Sequence, residues 1–298
     1  MSLASDTGAE GERYAHPRAS WLCPRTGGLL AQGELMREMA RKRVVLLGET
    51  HDVAEIHRWQ LHVTAFLHLL RPALAVGFEM FPLRIQPVLD AWVEGGMDTA
   101  TFIERSEWAD VWGFDPELYL PLFHFCRQQR VKMLALNCHR PLVTRVGQVG
   151  WAAIPVGERD GVTPSAPATE AYRDYLGAIT GRVSGPDRPA AMAPERFDRF
   201  VRAQQCWDRS FACRIADHLA VAQDEPLVVG IIGRGHLEYG HGTPHQLRDL
   251  GLEDVGVLLP TSECAHDAAA LRGIADAVFR LDTPEPPQSR RTQPGAAS

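Results

Sequence analysis

No apolar run in the chain approaches the roughly 18 residues that a membrane-spanning helix needs. The first twenty residues, MSLASDTGAEGERYAHPRAS, carry acidic groups and lack the apolar core of a secretory leader. Trp21-Leu22-Cys23 meets the same objection as a lipoprotein cleavage site, so a cytoplasmic protein is expected. No block of lysines and arginines occurs, and the net charge is -6, which argues against a nucleic-acid surface. The six cysteines, at 23, 126, 138, 206, 213 and 264, form no CxxC and no paired framework; that favours free thiols in a reducing compartment. There is no internal repeat, no Walker A loop, no GxSxG elbow and no HExxH. Gly233-Arg234-Gly235-His236 has the look of a dinucleotide fingerprint, but it follows a late strand and lacks the third glycine.

What is present is an ordinary globular composition, 45% hydrophobic and 23% charged, in 298 residues. That length suits one main domain with a smaller inserted lobe. The organising stretch is Val44 to His51, VVLLGETH. Four consecutive aliphatic residues suit a strand covered on both faces. The run stops at Gly48 and releases Glu49, Thr50 and His51. Four further runs repeat the arrangement. Residues 73–78 end in Glu79, 131–136 in Asn137-Cys138-His139, 227–232 in Gly233-Arg234-Gly235-His236, and 255–259 in Pro260-Thr261. Helical spacing over 29–41, 56–70, 84–93, 119–129, 141–151, 169–179, 194–222 and 244–250 alternates with these strands. The expected fold is therefore α/β: a three-layer, mostly parallel sheet flanked by helices, with a small helical lobe at about 84–125. Residues 1–28 read as a loose arm, 29–281 as the domain, and 282–298, rich in Pro, Gln, Ser and Arg, as a disordered tail.

If the strands run parallel, their polar tips share one edge of the sheet, where open α/β sheets bind ligands. Glu49, His51, Glu79, Arg234 and His236 are then expected to converge. Imidazole and carboxylate suit a divalent metal, so Glu49, His51, Glu79 and His236 are candidate ligands. Glu79 is the candidate general base if the site hydrolyses a substrate. The bland alternative is an ion pair of Glu79 with Arg234 that closes the sheet, with the histidines as hydrogen-bonded partners. His57 is placed either at the crevice or in the core. Trp108, Trp112, Phe114 and Tyr119 form either the core of the lobe or a wall for a flat ligand. Cys138-His139 could be a nucleophile and base, but adjacent residues leaving a strand point to opposite faces.

GETHD at 48–52, GFEMFP at 77–82, QPVLDAW at 86–92, LALN at 134–137 and GRGHLEYG at 233–240 together resemble the haem-binding uptake proteins of the ChaN type. That superfamily also holds the Tiki metalloproteases and the TraB and PrgY proteins, and it is more distantly similar to erythromycin esterase. The resemblance runs from about Val44 to Pro244. It implies an α/β domain with a helical lobe, and haem bound in face-to-face pairs across a homodimer with tyrosine on the iron. Tyr239 is the first candidate ligand and Tyr119 the second, with Arg234 or Arg84 pairing with propionates. The Tiki branch instead implies a metal-dependent hydrolase using His51, Glu79 and His236. ChaN-type proteins are often surface lipoproteins, a signal this chain lacks, so an intracellular haem-handling role is the expectation.

Overall fold

The computed structural model describes residues 12–183 and 192–281. Its strands are β1 Arg13–Ala15, β2 Trp21–Leu22, β3 Leu29–Leu30, β4 Val44–Glu49, β5 Leu74–Pro82, β6 Lys132–Asn137, β7 Leu227–Gly233, β8 Val255–Thr261, β9 Ala265–Asp267 and β10 Ala277–Arg280. The α-helices are α1 Gln32–Met39, α2 Ala54–Leu70, α3 Gln86–Val93, α4 Thr99–Arg105, α5 Trp108–Val111, α6 Leu120–Gln129, α7 Arg140–Val149, α8 Glu170–Val183, α9 Pro194–Val221, α10 Thr243–Asp249 and α11 Ala268–Leu271. No described helix is long and apolar enough to cross a membrane.

Eight strands form one sheet in the order β3-β2-β10-β8-β4-β7-β5-β6. From β10 to β6 every pairing is parallel; β2 and β3 close one edge antiparallel. β4, rooted in the aliphatic run, pairs with β7 on one side and β8 on the other. Side chains alternate across a strand, so each apolar run divides between two layers. Val45, Leu47, Val76, Phe78, Val229 and Ile231 pack with α1, α2 and the α3–α6 helices. Val44, Leu46, Ala75, Val228, Ile232 and Leu136 pack on the other face, against Phe211, Ile215 and Leu219 of α9. That division explains why the runs are apolar at every position.

The aromatic-rich 97–118 stretch is mainly core. Trp108, Phe114 and Tyr119 are buried, and Phe78, Phe81, Phe102, Trp108 and Phe123 form an edge-to-face network. Of Trp108, Trp112, Phe114 and Tyr119, Trp112 alone is only partly buried.

Residues 12–28, read from sequence as part of a loose arm, are instead pinned. β1 pairs with β9, β2 adds antiparallel to β10, and Trp21 and Leu22 are buried. Two-residue strands carry too little periodicity to be read without their partners. The expected tail at 282–298 lies outside the described residues.

Candidate functional site

Glu49 is the last residue of β4 and lies on the layer that faces α2 and α6. Its carboxylate is fully enclosed. Oε1 accepts from His51 Nδ1 at 2.8 Å and from the Tyr119 hydroxyl at 2.9 Å; Oε2 accepts from Gln60 Nε2 at 3.1 Å. Burial opposes the Glu49 charge, yet the His51 hydrogen bond and the nearby His57 and His51 outweigh it and hold the carboxyl below its ordinary range. His51 answers in the opposite sense. Burial lowers its pKa, but the Glu49 hydrogen bond and the charges of Glu49, Glu79 and Asp52 push it up to about 9.

A second pair of the same kind comes from the opposite face of the sheet. Asp208, fully buried on α9, accepts from His236 Nδ1 at 2.8 Å, from the Tyr172 hydroxyl at 2.6 Å and from Thr243 Oγ1 at 3.2 Å. Burial alone would lower the His236 pKa; Asp208 and Glu79 raise it instead. Between the two imidazoles stands Glu79 of β5. Its Oε2 accepts from the Gly233 N–H at 2.5 Å, and its Oε1 lies 4.0 Å from His236 Nε2. Gly233 is glycine for a steric reason. A Cβ there would sit 2.9 Å from His51 Cε1 and 3.3 Å from Glu79 Oε2.

These groups line a pocket of about 380 Å³ that exposes His51, Glu79 and His236. Trp112 meets His51 edge-on at 4.7 Å, and Trp207 meets His236 edge-on at 6.3 Å. Each histidine spends Nδ1 on its own carboxylate. Chemically, the pocket offers two carboxylate-backed imidazoles on either side of one carboxylate.

His51, Glu79 and His236 lie at the carboxyl edge of the sheet and line one pocket, but the strand that carries Glu79 does not end there: β5 runs on to Pro82, past its last regular pairing with β7 at Phe78, and His236 sits three residues beyond β7. Glu49 does not face the crevice; the turn after β4 folds His51 back over it. His57 is buried beneath the site, with Nε2 on the His51 carbonyl at 3.0 Å and Nδ1 on Gln60 Oε1 at 3.1 Å. Arg234 does not converge with the others. It pairs with Glu238, Nε to Oε1 at 2.5 Å, rather than with Glu79, and lines a different groove. Arg84 lines the His/Glu pocket and pairs with Glu107 at 2.7 Å. Tyr119 is fully buried with its hydroxyl donated to Glu49; burial and that neighbouring charge raise its pKa far above the ordinary value. It is a support for Glu49 and offers no oxygen to an outside ligand. Asp208 and Tyr172 were missed, although an aspartate between Trp207 and Phe211 in the apolar stripe of a long helix is a legible anomaly. Among the described residues no group of three or more His, Cys, Asp or Glu side chains could hold a metal ion, so a divalent metal at Glu49, His51, Glu79 and His236 finds no support.

The groove that Arg234 lines, of about 710 Å³, lies on the β8 side of the strand tips. Val53, Ile56, Leu259, Leu271 and Ile274 give it apolar walls, and Tyr239 lines it too. Tyr239 has φ 58° and ψ 12°, the left-handed region that a tyrosine seldom adopts. Its hydroxyl donates to the Ala270 carbonyl at 2.8 Å. A third cleft, of about 740 Å³, lies along α2 and is lined by Trp21, Trp59, Phe66 and His62, with no tyrosine among its lining residues.

Among solved structures, a ChaN of Campylobacter jejuni, described as binding haem cofacially, is similar over 87% of this chain and 95% of that one, with TM-score 0.68 and 20% identity. A mutant of the erythromycin esterase EreC in its open conformation covers 80% and 76% with TM-score 0.45 and 12% identity. The type III effector HopBA1 covers 83% and 91% with TM-score 0.45 and 9% identity. The first likeness is one of fold, and the other two are too remote to argue from. No curated protein matches the chain. The family described as haem-binding uptake, Tiki superfamily, ChaN, matches residues 35–247, and the chain belongs to it.

Proposed function

We propose that the protein binds haem in the groove lined by Tyr239 and Arg234, beside the strand tips, with the Tyr239 phenolate on ferric iron. Membership of the haem-binding uptake family supports the ligand. The observation that carries the position is Tyr239 itself: a bulky residue held at φ 58° on the wall of an apolar groove of about 710 Å³. Backbone strain of this kind costs on the order of 1 kcal/mol and persists where the surroundings enforce it. The groove suits haem chemically. Its aliphatic walls take a porphyrin face, a phenol is a hard oxygen donor for iron, and Arg234 offers a charge for a propionate. Bound haem supplies an iron centre whose potential and reactivity follow the axial ligand. The chain's own part is to shed the Tyr239–Ala270 hydrogen bond, present the oxygen and exclude water. The proposal extends to a homodimer that brings two haems face to face, as the family resemblance implies.

Titrating hemin into the full chain tests this. A saturable Soret shift is expected, greatly weakened in Tyr239→Phe and unchanged in Tyr119→Phe. Absence of any saturable shift removes the reading. Sedimentation with and without hemin tests the dimer.

A second reading rests on the other pocket. Two carboxylate-backed imidazoles flanking Glu79 at the mouth of an aromatic-lined cavity support metal-free hydrolysis. Glu79 would take a proton from water, and the His51 imidazolium would stabilise the developing negative charge. Turnover of a panel of esters by the wild type, lost in Glu79→Gln, is the expected sign; no turnover by either rejects it.

A further inference from the structure

Arg234 is the one arginine on the wall of the groove proposed for haem, and no lysine lines it. Its guanidinium is held at one corner only. Nε donates to Glu238 Oε1 at 2.5 Å, and no other hydrogen bond of this side chain occurs among the described residues. A guanidinium carries its N–H donors in a planar fork. One is spent on Glu238, and those on the two terminal nitrogens remain for a ligand. Together the terminal nitrogens form the parallel pair of donors that receives a carboxylate bidentately.

Glu238 is nearly buried, and its second oxygen is committed as well: Oε2 accepts from the Tyr175 hydroxyl at 2.8 Å. Tyr175 comes from α8, and its ring meets that of Tyr239 edge-on at 5.8 Å. Tyr172, three residues earlier on the same helix, donates in the same way to Asp208, the acid behind His236. Thus α8 supplies one hydroxyl to the acid that backs each cavity. For Glu238 the result is a carboxylate fixed at both oxygens, which fixes the arginine in turn. An arginine already held in place loses less conformational freedom when a ligand arrives. Two other acids line the groove, and neither pairs with Arg234 among the described residues. Asp267 Oδ1 is taken by the Ala269 and Ala270 N–H groups at 2.8 and 3.2 Å, and Glu263 is exposed. Resting on the haem reading above, we infer that Glu238, backed by Tyr175, is the positioning residue for Arg234, and that it makes the groove selective for a porphyrin with free propionates. Nothing in this arrangement touches the iron, so it holds for one haem or for a face-to-face pair. The rival is a Glu238 that only neutralises Arg234, in which case its removal strengthens hemin binding.

The test compares two ligands on the full chain: hemin and its dimethyl ester, which keeps the ring and the iron and lacks the propionate charges. Both are titrated in the same buffer and followed at the Soret band. Wild type should bind hemin roughly 10- to 100-fold more tightly than the ester, the worth of one charge-assisted pair. That ratio needs no variant and so no assumption about folding. Arg234→Gln should bring it close to unity, and Glu238→Ala should bring it to nearly the same value. Glu238→Gln, whose amide oxygen still accepts from Nε, should keep most of it, and Tyr175→Phe should lower it severalfold. Ester affinity and the Soret maximum should be the same in every protein, because neither depends on Arg234; a distorted variant loses both ligands together. A wild type indifferent to esterification, a Glu238→Ala ratio equal to or above that of wild type, or a parallel fall of hemin and ester affinity in Glu238→Ala and Tyr175→Phe overturns the inference and leaves the Tyr239 reading standing. A wild type that takes up no hemin overturns both.

Discussion

The stability of the protein should fall as the pH rises through about 9, and the fall should depend on His51. The imidazole is ordinary near 6.5 in the unfolded chain and is raised to about 9 by Glu49 in the folded one, an interval worth about 3 kcal/mol. The raised value means that the folded state holds the proton more tightly. Its contribution is complete below about 6.5, where both states are protonated, and disappears as the pH climbs through about 9. The same contact holds Glu49 below the carboxylate range, so the contribution is also lost at acid pH as Glu49 protonates; it is one interaction and is counted once. For a domain of this size about 3 kcal/mol corresponds to roughly 6–12 °C in Tm. Lysines, cysteines and tyrosines also titrate in this window, so the measurement is a difference. Thermal melts of wild type and His51→Gln are recorded from pH 6 to pH 10. The glutamine amide still donates to Glu49 but does not titrate. The Tm gap between the two proteins should narrow by several degrees across pH 7–10. Parallel curves would refute the argument that Glu49 holds a charged His51.

Other perturbations act on the same machinery. Asp208→Ala removes the acceptor of His236, Tyr172 and Thr243 at once and should cost about 3–5 kcal/mol by denaturant midpoint; an imidazole resonance of His236 that titrates lower than in wild type would accompany it. Gly233→Ala forces a methyl to 2.9 Å from His51 and should cost roughly 1–3 kcal/mol in chemical denaturation while also shifting the His51 titration midpoint. Tyr119→Phe leaves Glu49 one donor short and should cost about 1–2 kcal/mol, with hemin uptake intact. A loss of hemin uptake in that variant would return Tyr119 to the list of iron ligands.

The parallel sheet was legible because its cause is local. A strand covered on both faces must be apolar at consecutive positions, and β4, β5, β6, β7 and β8 all read that way. β2 and β3 were not legible, since two residues carry no period and Leu22 is core only because β10 lies beside it. At the site, position along a strand could be read and side-chain direction could not. Glu79, just past the last regular pairing of β5 with β7, and His236, in the turn after β7, emerge into one pocket. Arg234, two residues before His236, turns to the neighbouring groove because a single 3₁₀ turn follows β7 and sends successive side chains around it. Asp208 was missed for the complementary reason. It arrives from a helix packed on the opposite layer, and nothing local to α9 says which strand tip it will meet.

This separation of the β7 tip into two directions has a functional consequence. The turn from Gly233 to Gly240 contributes His236 to the carboxylate–imidazole pocket and Arg234 with Tyr239 to the apolar groove. Both cavities therefore share one short segment as a wall. Tyr239 is at φ 58° and Gly240 at φ 66°, and just beyond them Gly242 has His236 O at 2.4 Å from where its Cβ would be, so the backbone here is tightly wound and packed on the His236 carbonyl. Occupation of the groove by haem, which must release Tyr239 from Ala270, should then be felt at His236. The imidazole resonance of His236 is expected to move on hemin binding in wild type, even though its ring lines the other cavity. A His236 signal indifferent to saturating hemin would mean that the two cavities act independently, and that the wound turn serves only to pack α10 against the sheet.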